Sequence, residues 1–136
     1  MNLKVYTGFP ADAMTVRETV FVLEQGFRDE FDQIDGYATH FVMYDGEKPV
    51  GVCRVFAQDG AYILGRLAVL KDYRGRKLGS RLVQAALEYV KSVGGRVMRL
   101  HSQCRAAGFY EKLGFTAYGE IEYEEDCPHI WMKKEI

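Results

Sequence analysis

The sequence predicts a mixed α/β fold in which one central, mostly antiparallel sheet is flanked by helices on both faces. Three strand-like segments follow one another with short turns between them, at His40 to Tyr44, Val50 to Phe56 and Tyr62 to Val69. After them, helix-like and strand-like segments alternate along the chain. The 136 residues are the size of one domain with a real core, so we expect residues 1–136 to form a single domain.

The first part of the chain combines a short strand, a helix and an acidic segment. Leu3 to Tyr6 alternates as a strand does, and Gly26 is predicted to end the helix that follows Pro10. The apolar positions of that helix recur at helical spacing: Ala13, Val16, Val20 and Leu23. Phe27 to Gly36 is acidic and irregular, which indicates a loop or a broken second helix.

The second half is predicted to begin with a helix near Leu78 that ends at Gly94-Gly95. The apolar face of this helix is formed by Leu82, Ala85, Ala86, Tyr89 and Val93. A strand, a short helix and a last strand follow, at Val97 to His101, Ala106 to Leu113 and Ile130 to Met132. The predicted order of elements is therefore β-α-(α)-β-β-β-α-β-α-β-β.

Composition and charge exclude several classes of protein. Apolar residues make up 48% of the chain and the net charge is −1, which is the balance of an ordinary globular protein. A nucleic-acid-binding protein would carry an excess of Lys and Arg, and a membrane span would need an apolar run of about 20 residues. The N-terminus lacks the apolar region of a signal peptide, and Cys53, Cys104 and Cys127 are widely spaced. We therefore expect reduced thiols, a cytoplasmic location, and no nucleic-acid or membrane partner.

A basic turn between a predicted strand and a predicted helix is the most informative local feature. The strand ends at Val69 and Leu70, Arg74-Gly75-Arg76-Lys77 follows, and the helix begins near Leu78. A glycine lets the backbone approach a ligand, and the free N–H groups and dipole of a helix N-terminus attract anions. The segment therefore predicts an anion site. Its spacing matches neither a nucleotide P-loop nor a Gly-x-Gly-x-x-Gly dinucleotide turn.

This turn resembles the acetyl-CoA pyrophosphate loop of the GNAT acetyltransferase superfamily, which reads Gln/Arg-x-x-Gly-x-Gly/Ala. Arg74 and Gly79 fit its first and last positions, while Lys77 stands where a glycine is usual. A residue other than glycine still has an N–H group to donate, so phosphate binding by the backbone remains available.

A second segment, Gln103 to Phe115, is similar to the GNAT pattern Asn-x-x-Ala-x-x-x-Tyr-Glu-Lys-x-Gly-Phe. The matching residues are Ala106, Tyr110, Glu111, Lys112, Gly114 and Phe115. Gln103 replaces the usual Asn, which hydrogen-bonds the pantetheine arm in the family. The two motifs stand in the family's order, and the resemblance extends from about Val20 to the C-terminus.

The resemblance implies the GNAT acyl-CoA N-acyltransferase fold and direct transfer of an acetyl group from acetyl-CoA to an amine. The CoA contacts that it implies are made by Leu67, Ala68, Val69, Arg74, Gly75, Arg76, Lys77, Leu78, Gly79, Ser80, Gln103 and Tyr110. In this family the fourth strand separates from the fifth, and a backbone N–H near Val69 polarises the thioester. Tyr110 is expected to be the general acid, because a phenol stays protonated at neutral pH. Glu24 is expected to bind the amine of the acceptor, either by holding the ammonium or by taking its proton through water.

The base that removes the amine proton is left open. Glu30, Asp32 and Asp35 are candidates, although acidic loops are usually solvated. His40 and His129 are also candidates, although each is expected to be a strand residue with a hydrogen-bonded ring.

Neither metal binding nor covalent catalysis is predicted. His101-x-x-Cys104 and Cys127-x-His129 lack the spacing of a zinc module, and Cys104 has no identifiable base partner. The leading interpretation is a small-molecule N-acetyltransferase that uses acetyl-CoA as co-substrate and no metal. The alternatives are a protein or peptide amine acetyltransferase and a non-catalytic acyl-CoA-binding module, and a homodimer is left open.

Overall fold

The computed structural model describes all 136 residues and places seven strands in one sheet, in the order β1-β2-β3-β4-β5-β7-β6. The strands are β1 (Asn2–Tyr6), β2 (Thr39–Asp45), β3 (Lys48–Gln58), β4 (Ala61–Val69), β5 (Val97–Gln103), β6 (Thr116–Glu124) and β7 (Cys127–Glu135). Every neighbouring pair is antiparallel except β4 and β5. The predicted sheet and its three consecutive antiparallel strands are therefore confirmed.

Helices cover both faces of the sheet. α1 (Ala11–Arg17) lies on one face, and α2 (Leu78–Ser92) and α3 (Ala107–Lys112) lie on the other. The alternation of side chains along β2 explains the division, because Phe41 belongs to the core beneath α2 and Val42 to the core beneath α1. The predicted helices on both faces are therefore confirmed.

The apolar stripe of α2 forms much of the larger core. Leu82, Ala86 and Val90 are fully buried, and the first two were expected from the helical spacing. Val93 also fits that spacing but is exposed, because it lies past the last helical residue, where the chain turns at Gly94. The predicted stripe is thus correct in its middle and wrong at its C-terminal end.

The first helix departs from the regular pattern that its spacing predicts. α1 continues as a π-helix over Glu18–Glu24, in which the Gln25 N–H donates to the Val20 carbonyl at 3.1 Å. A π-helix spans five residues per hydrogen bond rather than four, so later side chains rotate away from the stripe of an α-helix. Leu23, which the spacing predicts to be buried, is therefore exposed, and Phe21 lies in the core instead.

Three short 3₁₀ turns complete the chain, at Gln33–Gly36, Lys71–Tyr73 and Cys104–Ala106. The first turn lies within the segment predicted to be a loop or a broken helix. The last one leads into α3, which therefore begins one residue later than predicted. None of the helices has both the length and the apolar character that crossing a membrane requires.

The sheet opens between β4 and β5. The two strands pair in parallel only where Tyr62 to Leu64 lie opposite Met98 to Leu100. Beyond this point the register of β4 against β3 shifts, and Arg66 has a left-handed φ of 53°. A bulge of this kind bends a strand. The rest of β4 therefore leaves β5, and the edge that it turns toward β5 has no strand partner.

Candidate active site

A cleft of about 510 Å³ lies where β4 and β5 separate. β4 contributes Leu64 to Leu67 to its lining, and β5 contributes Leu100 to Gln103. Tyr110 of α3, Phe27 from the segment after the π-helix and Trp131 of β7 add aromatic surface. The cleft therefore joins the split in the sheet to the loop before β2 and to the β6–β7 hairpin.

Tyr110 is held in the cleft by aromatic neighbours. The residue is 8% exposed and packs nearly edge to face against Phe109 and Phe115. Burial raises the pKa of its phenol. The hydroxyl therefore stays protonated at neutral pH, which is the state in which it can donate a proton.

The backbone of β4 beyond the split presents polar groups toward the gap. The Leu70 N–H donates to the Val50 carbonyl on β3 at 2.9 Å. Because successive residues of an extended strand point to opposite edges, the N–H and C=O of Val69 face away from β3. Leu67 lines the cleft, whereas the side chain of Ala68 is buried beneath α1.

The basic turn forms a pocket of backbone N–H groups in front of α2. Gly75 and Lys77 have left-handed φ values of 80° and 61°, and Lys77 is the N-cap residue without a side-chain cap. The first helical bond runs from the Arg81 N–H to the Lys77 carbonyl, so the N–H groups of the first turn have no intrahelical acceptor. Backbone N–H groups arranged in this way attract anions in general. Lys77, which stands where the GNAT pattern usually has a glycine, has a left-handed φ that glycine adopts most readily.

Gly79 allows α2 to approach α3 closely. A Cβ added at this position would lie 3.3 Å from the ring of Phe109. The last glycine of the loop is therefore explained by packing of the two helices that border the site.

Arg74 and Glu24 form a tight pair outside the cleft. The Arg74 guanidinium donates to both carboxylate oxygens of Glu24 at 2.7 and 2.8 Å, and its Nε donates to the Val69 carbonyl at 3.0 Å. The Arg74 hydrogen bonds lower the pKa of Glu24. Glu24, expected from the sequence to bind the acceptor, is not among the residues that line the cleft. It instead contacts the basic turn through Arg74.

Gln103 lies at the end of β5, and both the nitrogen and the oxygen of its side-chain amide form hydrogen bonds. Its Nε2 donates to Oε1 of Gln25 at 2.9 Å, and its Oε1 accepts from Nε of Arg105 at 2.7 Å. Gln25 directly follows the π-helix, so the end of that helix contacts β5 through Gln25 and the basic turn after β4 through Glu24.

Residues 9–136 match the family model described as an acetyltransferase (GNAT) domain. The chain belongs to the GNAT acetyltransferase family. It is similar to the uncharacterized N-acetyltransferase YjcF of Bacillus subtilis (strain 168), with 37% identity over 127 residues that cover 91% of each protein.

Solved structures show the same architecture. The crystal structure of Escherichia coli ElaA aligns with a TM-score of 0.89 at 26% identity, over 99% of this chain and all of that one. An aminoglycoside 6'-N-acetyltransferase complexed with coenzyme A aligns with a TM-score of 0.78 at 19% identity, over 99% of this chain and 97% of that one. The predicted GNAT acyl-CoA N-acyltransferase fold is therefore confirmed.

Two carboxylates of the acidic loop of this GNAT chain are not solvated, contrary to the expectation from its composition, whereas Asp29 and Asp32 are exposed. Glu30 and Asp35 are buried, and Arg17 of α1, itself 1% exposed, pairs with them at 2.9 and 2.6 Å. Burial raises the pKa of Glu30. Burial is the largest single influence on Asp35 and opposes its ionisation, but the hydrogen bonds and charge of Arg17, together with hydrogen bonds from Asp32 and Arg54, outweigh it, so the pKa of Asp35 is lowered. These carboxylates hold the loop against the sheet.

Two further arginines complete this cluster, and the sequence interpretation did not single them out. Arg54 of β3 pairs with Asp32 at 2.6 Å, and Arg66 of β4 pairs with Glu30 at 3.1 Å. Both line the cleft. The signal that could have identified them is a charged residue inside an apolar strand run, because an arginine there needs buried partners.

The two histidines proposed as bases have hydrogen-bonded rings within strands, as predicted. His40 Nε2 lies 2.9 Å from the Asp35 carbonyl, and His129 Nδ1 lies 2.9 Å from the Cys127 carbonyl. Burial lowers the pKa of His40. Of these two histidines, only His129 lines the cleft. His101 of β5 also lines it.

Proposed function

We propose that this GNAT protein is a single-domain enzyme that transfers an acetyl group from acetyl-CoA directly to the primary amine of a small molecule. The observation that carries the proposal is the cleft at the separation of β4 and β5, with the buried phenol of Tyr110 in its lining. Family membership supports the transferase activity.

The phosphates of acetyl-CoA would lie against residues 74–80, and its pantetheine arm against the unpaired edge of β4 and Gln103. The uncapped N-terminus of α2 supports the first contact, as do the cations of Arg76 and Lys77, which have no carboxylate partner within 4 Å. A GNAT-fold neighbour complexed with coenzyme A supports the same cofactor. Arg74, already bound to Glu24, would act chiefly by holding the loop in place.

The chemistry divides between a backbone group and a side chain. The amine nitrogen attacks the thioester carbon, and the Val69 N–H stabilises the oxyanion that forms. The C–S bond then breaks, and Tyr110 donates its proton to the departing thiolate. The phenol of Tyr110 is protonated at neutral pH, so it has a proton to give when the thiolate leaves.

The dimensions of the cleft favour a small acceptor. A volume of about 510 Å³ lies within the range of about 300–1,000 Å³ common for small-molecule sites. One wall is the loop that Arg17, Arg54 and Arg66 anchor through buried ion pairs. A wall held in this way does not open readily for a peptide.

The acceptor class is tested by assaying CoA release with acetyl-CoA and two panels, one of small primary amines and one of short lysine-containing peptides with blocked termini. We expect turnover with members of the first panel and at least tenfold lower kcat/KM for every peptide. Comparable or higher kcat/KM for a peptide would assign the enzyme to protein or peptide acetylation. Acetyl-CoA binding without turnover on either panel would favour the non-catalytic acyl-CoA module.

A further inference from the structure

Two histidines approach one carboxylate oxygen on the wall of the cleft formed by β5, β7 and β6. Oε2 of Glu124 lies 3.1 Å from Nδ1 of His101 and 3.1 Å from Nε2 of His129. All three residues line the cleft that also contains Tyr110. The cluster is separate in sequence and in contacts from the buried ion pairs of the acidic loop.

The backbone determines which nitrogen of His129 exchanges a proton. Nδ1 lies 2.9 Å from the carbonyl oxygen of Cys127, which can only accept, so Nδ1 carries a hydrogen. Nε2 is therefore the atom that gains and loses a proton. The carboxylate of Glu124 lies next to that atom and would stabilise the imidazolium once it forms.

His101 fixes the carboxylate. Its ring stacks on Trp131 with centroids 4.7 Å apart, and its two nitrogens lie 3.1 Å from Glu124 and 3.2 Å from Glu122. Glu124 is half exposed, so without such contacts its side chain would be free to turn into solvent. With a hydrogen on Nδ1, His101 would keep the carboxylate beside Nε2 of His129.

Most other acidic groups near the cleft are already engaged, and Asp29 is the exception. Glu30 is paired with Arg17 and Arg66, and Glu24 with Arg74. Glu125 accepts the backbone N–H groups of residues 28 and 29. A proton taken up by any of these carboxylates would break an ion pair or a hydrogen bond, whereas Nε2 of His129 gains a favourable contact on protonation.

We propose that His129 is the base that accepts the proton of the acceptor ammonium, with Glu124 and His101 as positioning residues. This inference rests on the proposed acetyl transfer and adds the group that the sequence left unassigned. The surroundings of the ring come from three elements: Phe27 lies edge-on at 6.5 Å between centroids, His101 at 5.0 Å, and Glu124 faces Nε2.

The protons balance over the whole reaction. The ammonium gives one proton to Nε2 of His129, and the neutral nitrogen forms its bond to the thioester carbon. The C–S bond breaks, its electron pair stays on sulfur, and the thiolate takes the proton of Tyr110. The second proton of the attacking nitrogen passes to water, water reprotonates Tyr110, and His129 releases its proton to solvent. The net products are the amide, free CoA and one proton.

The test compares His129→Gln with wild type on two acceptors, n-butylamine and hydroxylamine, over a range of pH. n-Butylamine is protonated at neutral pH, because its pKa is about 10, like that of lysine. Hydroxylamine is a much weaker base and is already uncharged at pH 8. In His129→Gln we expect kcat/KM for n-butylamine to fall by about 10²–10⁴-fold, with its acid limb displaced toward the pKa of the amine. Turnover of hydroxylamine at pH 8 should change less than about fivefold, because that acceptor needs no base.

Two further variants and one binding measurement keep the result interpretable. Glu124→Gln alters a half-exposed side chain and should lower kcat/KM for n-butylamine about tenfold, and His101→Gln should do the same, both with the acid limb retained. Equal losses on both acceptors in His129→Gln, or an unshifted acid limb, would overturn the assignment of the base while the transferase proposal stood. If wild type failed to bind acetyl-CoA in calorimetry, the proposed function and this inference would both be rejected.

Discussion

Lys77 shows how one residue type can occupy a conformation that usually belongs to another. Its φ of 61° lies in the left-handed region, which costs an L-residue about 1–2 kcal/mol relative to its ordinary conformations. Its side chain is exposed, so replacement loses no packing. The strain is therefore local to the loop and can be removed by a single substitution.

We expect Lys77→Gly to raise the free energy of unfolding by about 0.5–1 kcal/mol, because the strain that is relieved exceeds the extra chain entropy of glycine. Urea denaturation followed by circular dichroism measures the change. Lys77→Ala is the matched control, since it removes the same charge and keeps the strain. Equal stability of the glycine and alanine variants would show that the conformation of this residue carries no cost.

Tyr110 carries the other prediction at this scale. Tyr110→Phe keeps the ring that packs on Phe109 and Phe115 and removes only the hydroxyl. We expect acetyl-CoA affinity to change little while kcat falls by about 10²–10⁴-fold, as for loss of a positioned acid. Unchanged turnover on the best amine would reduce Tyr110 to a packed aromatic residue at the edge of the cleft.

At the scale of elements, the loop and the first turn of α2 act together. Side-chain substitutions leave the backbone N–H groups of the turn and of the helix N-terminus in place. In the proposed site, the part of the attraction for CoA phosphates that substitutions can change therefore comes from the exposed cations of Arg76 and Lys77. Arg74 differs from them because its guanidinium is bound to Glu24 and to the Val69 carbonyl.

Reversal of both free cations, by Arg76→Glu with Lys77→Glu, should weaken binding of CoA at least tenfold in calorimetry, with a loss that shrinks at high salt. The matched control is Lys91→Glu with Arg96→Glu, which reverses two exposed cations, one in the last turn of α2 and one just beyond it. Its effect should be smaller than twofold. Equal affinities for the loop variant and wild type would remove residues 74–80 from the CoA site.

The elements also show where a single sequence is sufficient and where it is not. Strands β2 to β4 and the middle of α2 follow from the local sequence, because these strands are short apolar runs bounded by turns and the buried stripe of α2 has a helical period. The π-helix after α1 has no such period, so Leu23 was placed on the wrong face. The acidic loop was misjudged for a different reason. Its burial depends on arginines that stand 13 to 36 residues away in the chain, a pairing that composition does not encode.

At the scale of the whole molecule, Arg17 joins α1 to the loop that forms one wall of the cleft. Its removal would leave Glu30 and Asp35 buried with part of their charge unpaired. We expect Arg17→Met to lower the free energy of unfolding by about 3–5 kcal/mol. Arg28→Met is the control, because Arg28 is 89% exposed and pairs with Glu125 only at 3.6 Å, and it should cost less than about 1 kcal/mol. Similar costs in urea denaturation would contradict a stabilising role for the buried cluster.

Some residues of the candidate site can be identified from short motifs, whereas others are distant in the chain and come together only in the folded structure. The basic turn and Tyr110 can be selected from short motifs, because an anion site at a helix N-terminus is made by consecutive residues. Arg54 and Arg66 come from β3 and β4 and meet the acidic loop only in the folded chain, and the cluster of His101, Glu124 and His129 forms only once β5, β7 and β6 are paired. Glu24 illustrates the converse, since its place in the chain suggested the acceptor site and its side chain instead holds Arg74.

The central claim is direct transfer of acetyl from acetyl-CoA to an amine, and product balance tests it most directly. Purified protein is mixed with acetyl-CoA, with and without the best small primary amine, and free CoA, acetylated amine and intact protein mass are measured together. The account predicts that CoA and acetylated amine appear in equal amounts, only when the amine is present, and that the protein mass does not change. A stable acetyl adduct on Cys104 that is required for turnover would replace direct transfer with a covalent mechanism, and CoA release that does not depend on the amine would contradict amine acetylation altogether.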